Sequence, residues 1–165
     1  MAAAAGAALL TACATTERVV AAADVRALLV SIRDNDEAAF DAHVDRDALE
    51  RELEGRILQS TGGAHEDRET RSLGALLAGP ISRLAGEALL RPSVFLAVAE
   101  YYGYKPGQPI PGQIAIAEAL RALPDGRVCA AKGRGGPCLL TFANEGGTWR
   151  LVSFDGDLSL LKLPH

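Results

Sequence analysis

Val25, Leu28, Leu29 and Ile32 recur at i, i+3, i+4 and i+7, which predicts one buried face of an amphipathic helix. Asp24 falls in its first turn, where the helix dipole favours negative charge. Asn35 is a natural left-handed stop, and Asp36 a natural N-cap for a short helical turn that holds Phe40. Asp45 can cap a further helix whose Leu49, Leu53 and Ile57 share a face, and Ser60-Thr61-Gly62-Gly63 ends it. After a polar stretch from His65 to Arg71, the residues Leu73, Leu76, Leu77, Ile81, Leu84 and Leu89 resume a helical pattern, which Pro80 kinks or divides. Pro92 begins another short helix at its first turn, with Phe95 and Val98 inward and Tyr101-Tyr102-Gly103-Tyr104 closing it. Lys105 to Gly112 carries three prolines and two glycines and reads as a loop, and Ile114 to Leu123 reads as a short helix.

The period changes after Asp125. Arg127 to Lys132, Cys138 to Ala143, Thr148 to Phe154 and Leu158 to Leu163 are strand-length runs. Gly133-Arg134-Gly135-Gly136, Asn144-Glu145-Gly146-Gly147 and Asp155-Gly156 punctuate them, as in an antiparallel meander. Helices first and strands last predict an α+β fold. Its N-terminal helices pack on one face of a C-terminal antiparallel meander of about four strands. No internal repeat divides the chain, and residues 24–165 are expected to form one domain.

Hydrophobic residues make up 48% of the 165 positions, enough for a core and too many for a disordered chain. The net charge of −4 comes from interspersed charges with no basic stripe, which argues against nucleic acid as a partner. No apolar run reaches the roughly 20 residues of a membrane span.

Leu10-Thr11-Ala12-Cys13 ends an Ala-rich uncharged run and gives way to Thr15-Thr16-Glu17-Arg18. This resembles a bacterial lipoprotein signal: an apolar segment, a small residue before the cut, then the cysteine that takes the lipid. The reading makes residues 1–12 the signal, Cys13 the lipidated amino terminus and residues 13–23 a tether. Two or three acyl chains hold a protein at a membrane, each buried methylene adding about 0.8 kcal/mol. Localisation would then be the bacterial cell envelope, facing the periplasm or the exterior. The run lacks the positive charge that opens secretory signals, which a start placed downstream of the natural one would explain. The bland reading is a frayed Ala-rich tail with a chance cysteine. With Cys13 lipidated, Cys129 and Cys138 remain as a pair, and an even pair in an exported protein suggests a disulfide. They flank the first hairpin turn, where a directly opposed pair would lie within bridging distance. Two buried thiols in a reducing compartment are the alternative.

Leu28-Leu29-Val30-Ser31-Ile32-Arg33-Asp34-Asn35-Asp36, then Phe40, Val44-Asp45 and Leu49, resembles the opening of a bacterial family, the domain of unknown function 2939. Leu90-Arg91-Pro92, Thr148-Trp149-Arg150-Leu151-Val152 and Leu163-Pro164 look like that family too. The resemblance implies a small exported or membrane-anchored protein with no assigned activity and no catalytic residues to carry over. A looser likeness is to nuclear-transport-factor-2-like domains, cone-shaped α+β folds that host enzymes and inert binding modules alike.

Candidate chemistry is sparse. His43 and Asp45, with Asp41 and Asp47 nearby, are either an acid/base pair at the mouth of a cone or a solvated connector in which Asp45 caps a helix. His65-Glu66-Asp67 lacks the second histidine that a zinc helix requires, and His165 ends the chain, so no metal and no cofactor are expected. Ser31, Ser60 and Ser72 lack a nucleophile-elbow context. The Gly133 to Gly136 run has neither a following helix nor Lys-Ser/Thr, so it is a turn and not a phosphate cradle. Tyr101 and Tyr102, with His43, are candidates to line a ligand-binding mouth, against the plainer reading of tyrosines at a core edge. Trp149 reads as core. The leading expectation is a non-enzymatic envelope lipoprotein that binds or interacts with a partner. The alternative is a cone-shaped enzyme acting on a small apolar molecule, with His43 or Asp45 as general base.

Overall fold

The structure is a computed structural model that describes residues 6–62, 87–101, 103–131, 133 and 135–155. Helix α1 spans Gly6–Asp34. It stops where the sequence pattern places the stop: Asn35 adopts φ 52°, and the Asp36 amide bonds back to the Ser31 carbonyl at 2.9 Å. Asp36 then caps α2, Glu37–Ala42, its side chain accepting from the Ala39 amide. Helix α3 spans Arg46–Gly62, and Asp45 Oδ1 accepts from the Ala48 amide at 2.9 Å. Each aspartate satisfies an amide that the first helical turn leaves unpaired.

Helix α4, Pro92–Tyr101, begins on the proline as expected. Its last turn closes through the Gly103 amide on the Glu100 carbonyl and the Tyr104 amide on the Ala99 carbonyl, with Gly103 at φ 98°. The loop that follows is held by the Tyr104 hydroxyl, which donates to the Gln108 carbonyl, and by the Lys105 amide, which donates to Gln108 Oε1.

Strand β1, Leu120–Ala122, departs from the sequence pattern. The stretch expected as one short helix is helix α5, Gln113–Ala119, running directly into that strand. Leu120 is extended at φ −83° and ψ 145°, because it pairs with Ala130 on the neighbouring strand and buries its side chain. Pairing and burial override a local helical preference that seven residues can only weakly express.

Strands β2 (Val128–Ala131), β3 (Cys138–Glu145) and β4 (Thr148–Phe154) follow. They complete a four-stranded sheet in the order β1-β2-β3-β4, antiparallel at every step. Gly146 and Gly147 join β3 to β4 with φ 61° and 95°, the doubly left-handed turn that two-residue hairpins prefer. The fold is α+β, as the pattern predicts. The run Leu158 to Leu163, expected as a fourth strand, lies outside the described residues, as does the helical pattern from Leu73 to Leu84 with Pro80.

The core lies between α1 and the sheet. Ala21, Ala22, Val25 and Leu28 of α1 meet Val128, Phe142, Trp149 and Leu151, all buried, with Phe40 and Leu49 completing the cluster. Ala21 and Ala22 have no exposed surface, so the segment 13–23, expected as a tether, already contributes to the core at its end. Phe40 packs edge-to-face on Phe95 at 5.2 Å between ring centroids, and Phe95 on Phe154 at 6.4 Å. Such pairs add about 0.5–1.5 kcal/mol each beyond the area they bury.

Candidate functional site

β4 is the outer one of the described strands, and an unpaired edge is a template for unwanted strand addition. Here the helical half of the chain closes it. The Trp149 amide donates to Asp24 Oδ2 of α1 at 2.8 Å. The Leu151 amide donates to the His43 carbonyl at 2.9 Å, and the Leu151 carbonyl accepts from the Asp45 amide at 3.0 Å. Val44 thus forms a one-residue parallel bridge with Leu151. A bulge shifts the register between Thr141 and Phe142, and the next outward amide, that of Phe154, donates to Glu52 Oε2 of α3 at 3.3 Å. Glu52 Oε1 also accepts from Ser153 Oγ at 3.1 Å and pairs with Arg56 at 2.7 Å.

The candidate acid/base residues sit in this seam. His43 Nδ1 lies 2.9 Å from the Ala39 carbonyl. A carbonyl only accepts, so Nδ1 carries the proton. Nε2 then faces Asp24 Oδ1 at 3.7 Å, beyond hydrogen-bond reach, and protonation of the ring turns that contact into an ion pair. The carboxylate that His43 faces is therefore Asp24 on α1, and not Asp45, which is engaged in capping α3. Asp45 also meets Glu145. Burial first, then the charge of Asp45 and a hydrogen bond to it, push the Glu145 carboxyl above the usual carboxylate range, while Arg150 opposes the rise. The Asp24 and Glu145 contacts carried no sequence signal, since the partners lie on elements far apart in the chain.

Among the described residues, Tyr101 stands away from this seam. Tyr101 ends α4 with 70% of its surface exposed, and Tyr102 lies outside the described residues. Trp149 is buried as expected, and its Nε1 and the Nε of Arg150 find no hydrogen-bond partner among the described residues. No cluster of metal-ligating side chains occurs among the described residues.

The second feature is the disulfide between Cys129 and Cys138, with α-carbons 5.6 Å apart. The two are not a directly opposed pair. Cys129 faces Thr141 and Cys138 faces Ala131, with a register shift between Ala130 and Ala131, so the bridge runs diagonally across the hairpin. Cys129 is fully buried; Cys138 is half-buried. Arg121, beside Cys129 on β1, reaches over β2 so that Nη2 lies 3.1 Å from Cys138 Sγ and Nη1 bonds the Gly136 carbonyl at 3.2 Å.

The chain belongs to a family described as a protein of unknown function, DUF2939, whose model matches residues 6–97. The match takes in α1 to α3, with the Leu28 to Asp36 and Leu90-Arg91-Pro92 motifs, and leaves the sheet and the Trp149 motif outside it. Among curated proteins and among solved structures nothing matches the chain. The likeness to cone-shaped nuclear-transport-factor-2-like domains gains no support from these comparisons.

Proposed function

We propose that the protein is a non-enzymatic lipoprotein of the bacterial cell envelope, anchored through Cys13 and serving as a binding or interaction module. The observation that carries this reading is the Cys129–Cys138 bridge, because structural disulfides persist in exported proteins and are rare in the cytosol. The Leu10-Thr11-Ala12-Cys13 motif supports it independently. No helix among the described residues is long and apolar enough to cross a membrane. Asp45 supports the non-enzymatic part, since its carboxylate is engaged in capping α3. The test is mass spectrometry of the protein expressed in bacteria with its upstream codons. The expected product begins at Cys13 and carries two or three acyl chains. An unmodified Met1, or an unlipidated soluble product, refutes the anchor.

A further inference from the structure

The two sulfurs of the bridge occupy unlike surroundings, and the difference fixes the order in which they react. Cys129 is fully buried, away from any external reagent. Cys138 is half-buried, with the Arg121 guanidinium 3.1 Å from its sulfur. A guanidinium beside a sulfur favours the thiolate, and the thiolate is the nucleophile. We propose that Cys138 is the thiol through which the reduced chain engages an external disulfide oxidant, with Cys129 as the resolving thiol and Arg121 as a positioning residue that keeps Cys138 ionised.

The chemistry balances in two exchanges. The Cys138 thiolate attacks one sulfur of the oxidant's disulfide, forming a mixed disulfide and releasing one oxidant thiolate. Cys129, losing its proton, attacks Cys138 Sγ, closes the bridge and expels the oxidant's second thiolate. The oxidant gains two electrons, and the two cysteine protons pass to solvent or to its thiolates. The α-carbon separation of 5.6 Å puts the resolving sulfur within reach without rebuilding the hairpin. The reverse order would need an oxidant to reach Cys129, which has no exposed surface.

The test uses the full chain with Cys13→Ser, so that only the pair reacts, and glutathione disulfide as the probe. Cys129→Ala leaves Cys138 alone; Cys138→Ala leaves Cys129 alone. Where Cys129→Ala disturbs the circular dichroism spectrum, Cys129→Val, closer in volume, takes its place. The expected result is rapid glutathionylation of Cys138 in the folded chain. Cys129 should match that rate only in guanidinium chloride. Adding Arg121→Gln to the Cys138-only chain should raise the pH midpoint of the reaction, and Arg121→Lys should restore it. A one-unit change in thiol pKa alters the thiolate fraction tenfold but its nucleophilicity about threefold in the opposite sense, so the net slowing at neutral pH is about threefold. Equal folded-state rates for the two cysteines, a faster Cys129, or a pH profile indifferent to Arg121 would each overturn the proposal. None of these outcomes depends on lipidation at Cys13.

Discussion

Replacing Asp24 tests whether the edge of the sheet is closed by a specific bond or merely covered. Asp24 lies on α1 and its carboxylate receives the Trp149 amide at 2.8 Å. A hydrogen bond to a charged group contributes about 1.5–3 kcal/mol. The Asp24 side chain is 25% exposed, so water replaces part of the loss, and Asp24→Ala should cost about 1–2 kcal/mol. A chain of this size loses about 2–4 °C of Tm per kcal/mol, which predicts a fall of about 2–8 °C. Asp24→Asn keeps an acceptor for the amide and loses only the charge, so it should fall less. His43 contributes little to the difference, because its Nε2 stands 3.7 Å from the carboxylate in a partly solvated seam. A double-mutant cycle with His43→Ala should therefore return a coupling of about 0.5 kcal/mol or less. Thermal melts supply the stabilities, and hydrogen exchange at the Trp149 amide supplies the local readout. An Asp24→Ala chain with unchanged Tm and unchanged Trp149 exchange would refute the edge-closing role. Equal damage from Asn and Ala would mean that charge, and not the hydrogen bond, holds the seam.

Phe40→Ala removes a ring with no exposed surface that anchors the contact to Phe95; the expected loss is about 3–5 kcal/mol by urea denaturation, and a loss below about 1 kcal/mol would show that the site collapses around the gap. Glu145→Gln concerns a carboxyl whose pKa in the folded chain is raised by burial and by Asp45. The native state holds that proton more tightly than the unfolded chain does, so stability falls as pH rises from the usual carboxylate value through the raised one. The glutamine variant should melt above the parent at neutral pH, with the gap closing as the solution is acidified below that interval. A variant no more stable than the parent at neutral pH would contradict the assignment.

Much of the described helical half is legible in the sequence because its signals are local, although α1 already begins at Gly6, which puts Asp24 inside the helix and not in its first turn. The Val25 to Ile32 spacing, the left-handed Asn35 and the caps at Asp36 and Asp45 each act within one or two turns, and each residue does in the structure what its position predicts. The hairpin between β3 and β4 is equally local, fixed by two glycines that adopt its left-handed turn without strain. Strand β1 was not legible. Leu120 to Ala122 is extended because β2 lies beside it, and no residue within the stretch encodes that neighbour. The same holds for the polar seam. His43 and Asp45 lie two apart in the chain and invite pairing, but the backbone turn between α2 and α3 sends one toward Asp24 and the other toward its own helix and Glu145. The bridge divides in the same way. Two cysteines around a glycine-rich turn point to the bridge only when joined to the expectation of export, with free thiols as the alternative, while its diagonal register, the burial of Cys129 and the Arg121 guanidinium over Cys138 follow from a bulge and a cross-strand reach. Those depend on distances between strands, which only the packed sheet sets.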